Sequence, residues 1–137
     1  MSRIIFIDTL FVVALVNQRD QYHERAEALA TSYEGAHFLI TDAVILEIGN
    51  SLSRNFKDQA IQVIENLLSS DDVEVVHMTA ELFDQAFSLF KTHTDKSWGL
   101  VDCMSFLVMR RAGAQDALTF DHNFVQAGFK ALLRDLV

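Results

Sequence analysis

Short apolar runs, each followed by a longer amphipathic stretch, recur along this chain and constrain its fold more than any other feature. Continuous apolar runs of this length are typical of strands that are buried on both faces of a parallel sheet. The stretches between them have apolar residues at helical spacing. Together they predict an α/β fold in which helices cover a central parallel sheet. The predicted strands are residues 4–7, 37–40, 73–76, 117–120 and 131–133.

Five stretches between these runs are predicted to be helices. Residues 42–53 have an apolar residue at every fourth position, with Thr41 or Asp42 as the N-cap. Residues 100–111 are apolar on nearly all sides, which predicts a buried helix, and Gly113 follows as its C-cap. An all-helical fold is the structural alternative, but four short aliphatic runs bounded by turn or cap residues favour the mixed fold. The other predicted helices are residues 21–33, 56–68 and 80–90.

Length and composition agree with one folded domain. The 137 residues suit a single core, and 50% of them are hydrophobic, which excludes intrinsic disorder. One cysteine excludes a disulfide framework and a zinc site built on cysteines. The most apolar N-terminal stretch, residues 4–16, is too short to span a bilayer and is interrupted by Asp8. We therefore predict a single domain over residues 1–137, with no membrane segment or signal peptide, in the cytoplasm.

The chain is acidic, with 19 Asp and Glu residues against 11 Lys and Arg residues and a formal net charge of −8. This balance speaks against a protein that holds nucleic acid by bulk positive charge. Most of the acidic residues fall on polar faces or in loops, where a solvated surface explains them. Four acidic residues fit that interpretation less well, and these four define the candidate site.

Two of the four acids follow predicted strands. Asp8 comes directly after the run at residues 4–7, and Asp121 comes directly after the run at residues 117–120. Ligands bind at the carboxyl ends of the strands in open parallel sheets, so both positions suit a functional site. Asp is also a favoured N-cap residue, so helix capping is the alternative role of each. If the two strands are neighbours, both carboxylates lie at one edge of the sheet.

The other two acids lie within predicted helices. Asp102 is near the start of the buried helix, where a carboxylate is costly unless it is paired, hydrogen-bonded or bound to a cation. The helix macrodipole also favours an acid in a first turn, which is its structural alternative. Glu47 falls beside the apolar face of the helix at residues 42–53, with Ser51 one turn later on the same side. A boundary glutamate with a solvated carboxylate is the alternative there.

A cluster of these four carboxylates requires neutralisation. Like charges about 4 Å apart repel by roughly 4 kcal/mol at an effective dielectric constant of 20. Oxygen ligands suit a hard cation such as Mg²⁺ or Mn²⁺, which keeps several waters and takes a substrate phosphate as a further ligand. Two such ions roughly 3.5–4 Å apart can clamp the attacking and leaving oxygens of a phosphodiester. The four acids therefore indicate metal-dependent chemistry that an acidic protein can perform on nucleic acid.

The same residues carry a resemblance to a known family. In their order and spacing, which cover nearly the whole chain, they resemble PIN-domain ribonucleases of the kind that serves as the VapC toxin in bacterial type II toxin–antitoxin pairs. Leu10 is a departure, since relatives often have a polar residue at that position. The segments that carry the resemblance are FIDT at 6–9, TDAVILEIGN around Glu47, SWGLVDCMSF around Asp102, and TFDHNF at 119–124 followed by Gly128 and Phe129.

The resemblance implies a fold, a site and a reaction. It implies a three-layer α/β/α fold with five parallel strands in the order 3-2-1-4-5, which makes the first and fourth strands neighbours. It implies that Asp8, Glu47, Asp102 and Asp121 form the metal site and the catalytic site of a Mg²⁺-dependent endoribonuclease, with Mn²⁺ as an alternative ion. Thr119 is then a hydrogen-bonding partner of the site's carboxylates or waters. An RNA substrate, products with 5′-phosphate and 3′-hydroxyl ends, a small antitoxin partner and a homodimer are also implied.

Other classes of function fit the sequence less well. A non-catalytic RNA-binding or scaffold protein of the same fold would share the pattern without cleaving RNA. A receiver-like signalling module needs adjacent acids early in the chain and a late lysine, and neither is evident. A hydrolase with an aspartyl nucleophile usually has a second Asp where this chain has Leu10. The five glycines form neither a dinucleotide-binding fingerprint nor a P-loop.

Several reactive or aromatic residues are predicted to be structural. Cys103 has no partner histidine at a recognisable spacing and is assigned to the core. For Trp98, packing is favoured over stacking on a base. His122 is assigned to the start of a helix, with substrate contact as the alternative. Basic residues that are candidates for phosphate contacts are Arg3, Arg54, Lys57, Lys96, Arg110 and Arg111.

Overall fold

A computed structural model describes residues 3–134 and contains a five-stranded sheet. Neighbouring strands are parallel throughout, in the order β3-β2-β1-β4-β5. The predicted strand order is therefore confirmed, including the adjacency of the first and fourth strands that a shared acidic edge requires. The strands are β1 (Ile4–Ile7), β2 (His37–Thr41), β3 (Val73–Val76), β4 (Asp116–Leu118) and β5 (Lys130–Ala131).

Helices fill the connections between the strands. The five predicted helices are confirmed with ends that shift by at most two residues, and two short helices, α1 and α7, follow the strands β1 and β4. No helix between residues 3 and 134 has both the length and the apolar character needed to cross a membrane. The helices are α1 (Thr9–Val16), α2 (His23–Ser32), α3 (Asp42–Leu52), α4 (Lys57–Ser69), α5 (Ala80–Thr92), α6 (Leu100–Ala112) and α7 (His122–Gln126).

Two predicted caps have the expected chemistry. Thr41 is the N-cap of α3, because its hydroxyl oxygen accepts a hydrogen bond from the backbone N–H of Val44 at 3.1 Å. Gly113 ends α6 with a φ of +73°, a left-handed conformation that glycine adopts without steric cost. Of the two candidates for the N-cap, Thr41 is correct, and the prediction for Gly113 is confirmed.

The crossovers place the helices in two layers around the sheet. The chain moves from β1 through β2 to β3 and then returns to β4, so right-handed crossovers put α1 to α4 on one face and α5 to α7 on the other. The packing agrees, since α1 contacts α2 and α3, whereas α6 contacts α5 and α7. The three-layer α/β/α fold is confirmed. The single-domain boundary at residues 1–137 stays a prediction.

Helix α6 packs into the core and carries one of the candidate acids. Phe106 on α6 and Phe124 on α7 are both fully buried, and their rings meet edge to face with centroids 5.1 Å apart. Cys103 is also fully buried, as predicted for a core residue. Because Asp102 and Asp121 lie near the starts of these two helices, this aromatic contact helps to set the spacing between them.

Strands β4 and β5 each begin one residue earlier than predicted. The prediction placed β4 at residues 117–120, but the strand begins at Asp116 and ends at Leu118. Asp116 is 9% exposed and is tolerated in the strand because the guanidinium of Arg3 pairs with its carboxylate. Asp121 therefore follows β4 after a short connection, and the prediction that it comes directly after the strand is wrong.

Helix α5 presents a row of aromatic side chains to solvent. The sequence pattern predicts one apolar face on this helix, and the structure divides that face in two. Leu82 and Ala86 are buried, whereas Phe83, Phe87 and Phe90 are 46%, 41% and 38% exposed. Phe87 stacks on both of its neighbours, with ring centroids 6.3 Å from Phe83 and 6.5 Å from Phe90. We call these three residues the phenylalanine row.

Candidate active site

The four predicted acids line one cavity of about 410 Å³ at the carboxyl edge of the sheet. They arrive there from four separate parts of the chain, namely the end of β1, the middle of α3, the start of α6 and the start of α7. The structure therefore brings the four side chains together, while their catalytic and metal-binding roles stay predictions. The lining residues are Asp8, Thr9, Leu10, Glu47, Asn50, Ser51, Asp102 and Asp121.

Asp8 is a buried carboxylate at the end of β1, with 6% of its surface exposed. It stands at the N-cap position of α1, but its carboxylate makes no capping hydrogen bond. Its Oδ2 instead accepts a hydrogen bond from the Thr119 hydroxyl at 2.8 Å. Burial raises the pKa of Asp8 to about 7; the charges of Asp102 and Glu47 raise it as well, and the Thr119 hydrogen bond opposes the shift. Helix capping does not explain this placement.

Glu47 is half-buried in the middle of α3 and is held by the start of α1. The hydroxyl of Thr9 donates a hydrogen bond to Glu47 Oε1 at 2.7 Å. Ser51, one helical turn after Glu47, lines the same cavity, as the helical spacing predicts. The Glu47 carboxylate is thus fixed at the cavity by a partner on another helix.

Asp102 lies in the first turn of α6 and accepts two hydrogen bonds at its Oδ2 atom. The donors are the backbone N–H of Gly99 at 3.0 Å and Nδ2 of Asn123 at 3.2 Å. The first of these is a helix N-terminal interaction, so the structural alternative accounts for part of its placement. Burial raises the pKa of Asp102, and the charges of Asp121 and Glu47 raise it further against the effect of the two hydrogen bonds.

Asp121 is both an N-cap and a lining residue of the cavity. Its Oδ1 accepts a hydrogen bond from the backbone N–H of Asn123 at 2.9 Å, so the capping alternative is correct for α7. The backbone N–H of Asp121 donates to the hydroxyl oxygen of Thr119 at 3.1 Å. Thr119 therefore links the acids that follow β1 and β4, since its own hydroxyl hydrogen points to Asp8.

Sequence reasoning misses two residues that position the acids. Thr9 holds Glu47, and the side-chain amide of Asn123 holds Asp102. The hydroxyl of Ser97 donates to Asn123 Oδ1 at 3.1 Å, which leaves the Nδ2 donor directed at the carboxylate. These partners lie 38 and 21 residues apart in the chain. The only sequence signal for these two residues is their position: Thr9 comes one residue after Asp8, and Asn123 comes two residues after Asp121.

Trp98 is more buried than the sequence suggests. It is 6% exposed, meets the ring of Phe106 edge to face at 5.1 Å, and donates from its indole N–H to Gln126 Oε1 at 3.1 Å. Packing, which the sequence favours over stacking on a base, is confirmed.

The donor set at the cavity fits a hydrated divalent cation. Burial and mutual repulsion disfavour the charged forms of Asp8 and Asp102, and a bound cation relieves both penalties. No three Asp, Glu, His or Cys side chains among residues 3–134 are grouped so that they hold an ion directly. Mg²⁺ is usually bound through one or two carboxylates and keeps several of its waters, so it does not need three direct protein ligands.

Comparisons with known proteins identify the family of this chain. The model of the PIN domain family matches residues 5–130, a range that contains all four acids. The 23S rRNA-specific endonuclease VapC20 of Mycobacterium tuberculosis is 35% identical over 125 residues, which cover 91% of this chain and 95% of that protein. The crystal structure of VapC20, described as a sarcin-ricin loop cleaving toxin, matches with a TM-score of 0.82 and 34% identity over 91% of this chain and 95% of that chain.

Two less similar solved structures share the fold. VapBC2 from Rickettsia felis, solved with a DNA fragment from its promoter, has a TM-score of 0.64 at 16% identity and covers 93% of this chain and 96% of that chain. FitAcB from Neisseria gonorrhoeae has a TM-score of 0.63 at 17% identity and covers 93% of this chain and 95% of that chain. The resemblance to VapC-type ribonucleases is confirmed, the receiver-like alternative is set aside, and the chain belongs to the PIN-domain family.

Proposed function

We propose that this protein is a Mg²⁺-dependent endoribonuclease, with Mn²⁺ as an alternative ion, and that it acts as the toxin of a toxin–antitoxin pair. VapC20, to which it is similar over nearly the whole chain, is named as an RNA endonuclease and as a toxin. One observation carries the proposal. Asp8 is buried, faces three other acids across one cavity, and forms no ion pair with any residue between 3 and 134.

In this proposal Asp8, Glu47, Asp102 and Asp121 would hold the ion, one or two of them directly and the others through its bound waters. When bound there, the ion makes a coordinated water more acidic and offsets the negative charge that builds on the phosphoryl oxygens. The chain prepares for this role by fixing the carboxylates in advance. Thr119 holds Asp8, which is why little rearrangement is needed when the substrate arrives.

The remaining carboxylates are oriented from separate helices. Thr9 fixes Glu47, and Asn123 fixes Asp102 by its side chain and Asp121 by its backbone N–H. Each carboxylate therefore keeps oxygen lone pairs for ion and water while a protein donor occupies another. In this arrangement the carboxylates would orient the attacking water, and one of them would accept the proton that the water loses as the new bond to phosphorus forms. The bond from phosphorus to the 3′ oxygen would break at the same time, and that oxygen would take a proton from solvent.

RNA is the proposed substrate, with 5′-phosphate and 3′-hydroxyl ends on the products. Because the name of VapC20 specifies 23S rRNA, ribosomal RNA is the first substrate to examine. Purified protein is incubated with ribosomes or total RNA, with Mg²⁺ or with EDTA, and the new RNA ends are mapped by primer extension. We expect cleavage at defined sites with Mg²⁺ and none with EDTA.

Asp8→Asn and Asp102→Asn are the matched controls for this experiment. Both variants should fold, as judged by circular dichroism, and both should lose Mg²⁺-dependent cleavage. Full activity of either variant would contradict the assignment of the site. Metal-independent binding of RNA without any cleavage by the wild-type protein would support the non-catalytic alternative.

A homodimer is the proposed assembly, and the phenylalanine row supports it. Three exposed aromatic rings in one row on α5 form an apolar surface of the kind that protein partners cover. Phe87→Glu should convert a dimer into a monomer in sedimentation velocity experiments, and a monomeric wild-type protein would contradict the proposal.

A small antitoxin, recovered when the neighbouring gene is co-expressed, is the second proposed partner. The proposed location is the cytoplasm, consistent with one unpaired, buried cysteine.

A further inference from the structure

A second cavity, of about 730 Å³, lies beside the C-terminal ends of α1 and α3, two helices that carry part of the acidic site. Its polar lining consists of side-chain amides and one guanidinium, and none of its lining residues is acidic. We call it the amide-lined cavity. The polar residues that line it are Asn17, Gln18, Arg19, Asn55 and Gln59.

Helices α1 and α3 connect this cavity to the acidic one. The two helices pack against each other, and their contact begins where Thr9 at the start of α1 meets Glu47 on α3. The end of α1 and the segment after α3 line the amide-lined cavity through Val16 and Asn55. At a rise of 1.5 Å per residue, the length of α1 separates the two cavities by roughly 10 Å. The two cavities therefore lie at opposite ends of α1, whereas on α3 the acidic cavity reaches Ser51, close to the segment that lines the second cavity.

Three basic residues without partners line the amide-lined cavity or adjoin its lining residues in the chain. Arg19 lines it, and Arg54 and Lys57 flank its lining residues Asn55 and Phe56 in the chain. None of the three has an ion pair, a side-chain hydrogen bond or a stacked ring among residues 3–134, whereas most other basic side chains do. The engaged pairs are Arg3 with Asp116, Lys96 with Asp95, Arg111 with Gln85, Lys91 with Phe87, Arg110 with Phe129 and Arg134 with the carbonyl of Phe120.

Local charge decides what such a cavity attracts. The protein carries a net charge of −8, so it repels a polyanion at long range. At physiological ionic strength the screening length is about 8 Å, and a cation therefore acts mainly on the groups that approach its own surface. Asp20 and Asp58 adjoin Arg19 and Lys57 in the chain, but neither forms an ion pair with them. Unpaired cations beside neutral amides suit an anionic chain that also offers hydrogen-bond acceptors.

We propose that the amide-lined cavity binds the RNA backbone next to the phosphate that is cleaved. Arg19, Arg54 and Lys57 contact phosphates there, and the amides of the cavity contact ribose hydroxyls or base edges. This proposal rests on the proposed function and adds to it the part of the protein that holds the RNA beyond the reacting group. It explains how an acidic protein retains an RNA that its own carboxylates repel.

RNA binding without cleavage tests the proposal directly. A fluorescein-labelled single-stranded RNA is titrated in EDTA with the wild-type protein and with the triple variant Arg19→Gln, Arg54→Gln, Lys57→Gln, and binding is measured by anisotropy. We expect the triple variant to bind at least about tenfold more weakly. The slope of log K against log salt should fall by about 2, since each phosphate contact on a single strand contributes about 0.7.

Two other unpartnered cations provide matched controls. Arg25 on α2 and Lys130 on β5 have no partner among residues 3–134 and do not line the cavity. The double variant Arg25→Gln, Lys130→Gln removes two positive charges elsewhere and should change RNA affinity by less than about twofold. The double variant Arg19→Gln, Arg54→Gln removes the same charge at the cavity and should weaken binding about fivefold. Equal effects of the control and cavity substitutions would overturn the proposal, because they would show that only net charge matters. Wild-type affinity in the triple variant would overturn it too.

A small substrate separates this proposal from the proposed function. Bis(p-nitrophenyl) phosphate is too short to reach from the acidic cavity to the amide-lined one, so its Mg²⁺-dependent hydrolysis should be the same in the wild type and the triple variant. On long RNA the triple variant should show a raised KM and an unchanged kcat. If the wild type hydrolyses neither substrate, the proposed function fails, while the binding titration still decides this proposal. Binding of a glutamate-rich peptide that depends on the three cations, with unchanged RNA affinity, would overturn it in favour of a protein ligand.

Discussion

Asp8 and Asp116 are both buried carboxylates, one just after β1 and the other on the adjacent strand β4, and they differ in the groups that lie beside them. Strands β1 and β4 pair with Ile5 opposite Asp116, so Asp116 lies at the amino edge of the pair and Asp8 just beyond its carboxyl edge. Asp116 has the guanidinium of Arg3 as a partner, which raises the pKa of Arg3. Asp8 has a hydroxyl donor and faces other acids.

The two acids therefore differ in their charge compensation: Asp116 has a counter-charge within the protein, and Asp8 has none among residues 3–134. A buried charge is costly unless a counter-charge accompanies it, and at the amino edge the chain provides one. At the carboxyl edge the chain provides only a neutral donor, so the raised pKa of Asp8 records a penalty that persists in the folded protein. The lack of an ion pair at Asp8 among residues 3–134 therefore supports the proposal that a cation binds at this edge of the sheet.

Asp8→Asn should have the largest effect of the substitutions that test this difference between Asp8 and Asp116. It removes the charge but keeps an oxygen that accepts the Thr119 hydrogen bond, so we expect RNA cleavage to fall by roughly 10³-fold or more. Thermal stability without divalent ions should stay the same or rise. The matched control is Asp116→Asn, which should cleave RNA normally. Loss of cleavage in Asp116→Asn at unchanged fold would show that the two carboxylates are not distinct in role.

The pH dependence of stability should come next in size. The pKa of Asp8 is about 7 in the folded protein and near its ordinary 3.8 when unfolded, so the folded state binds the extra proton between these values. Stability therefore falls as the pH rises through that range, by about 3 kcal/mol between about pH 5 and pH 8 without divalent ions. Calorimetry should show a lower Tm at about pH 8.

Magnesium and the Asp8→Asn variant provide the controls for the pH experiment. Mg²⁺ should raise the Tm more at about pH 8 than at about pH 5, because protons compete with the ion for the same carboxylates. In Asp8→Asn both the pH effect and the Mg²⁺ effect should shrink. A wild-type Tm that rises with pH over this range would contradict the placement of Asp8.

Arg3→Ala should have a smaller effect on stability and none on the site. It leaves the Asp116 carboxylate buried without its cation, which we expect to cost about 1–2 kcal/mol in urea unfolding. Asp116→Ala should cost less, because the Arg3 side chain is 57% exposed and can be hydrated. Equal losses of unfolding free energy from the two substitutions, or a change in kcat for RNA cleavage, would contradict a purely structural role for the Arg3–Asp116 pair.

Asn123→Ala should have the smallest effect on RNA cleavage. It tests whether a neutral hydrogen-bond donor helps to position Asp102. Without the amide, Asp102 loses one of its two donors, so the Mg²⁺ concentration for half-maximal cleavage should rise by about tenfold or less. The kcat at saturating Mg²⁺ should change little. Mn²⁺ binding followed by electron paramagnetic resonance should weaken in parallel. Ser97→Ala, which only frees the orientation of the amide, should lie between Asn123→Ala and the wild type.

The strand ends show where prediction from sequence succeeds and where it stops. Apolar runs locate β1, β2 and β3 well, because β1 and the second half of β2 are buried on both faces and the valines of β3 are partly buried at the edge of the sheet. At β4 the apolar pattern excludes Asp116, yet Arg3 makes that residue compatible with the strand from 113 positions away. No local pattern contains such a partner, which is why the sequence predicts the start of β4 one residue too late.

The candidate site shows a similar limit. The four acids are recognisable because each occupies a position where an acid is unexpected, but Thr9 and Asn123 are ordinary polar residues until the fold places them beside Glu47 and Asp102. The apolar pattern of α5 also cannot distinguish residues that pack into the core from apolar residues that stay exposed on the surface. Leu82 is buried and Phe83 is exposed, because helix α6 covers only part of the apolar face of α5.

The hydrogen bond between Thr119 and Asp8 spans 111 positions of the chain. During translation β1 therefore emerges long before β4, its neighbour in the sheet, and the acidic site lacks two of its contributing segments for most of synthesis. Under the proposed function, a nascent chain has no complete active site while its early helices fold. The strand order thereby delays the completion of the site until late in synthesis. Arrested chains that end before Thr119 should not cleave RNA.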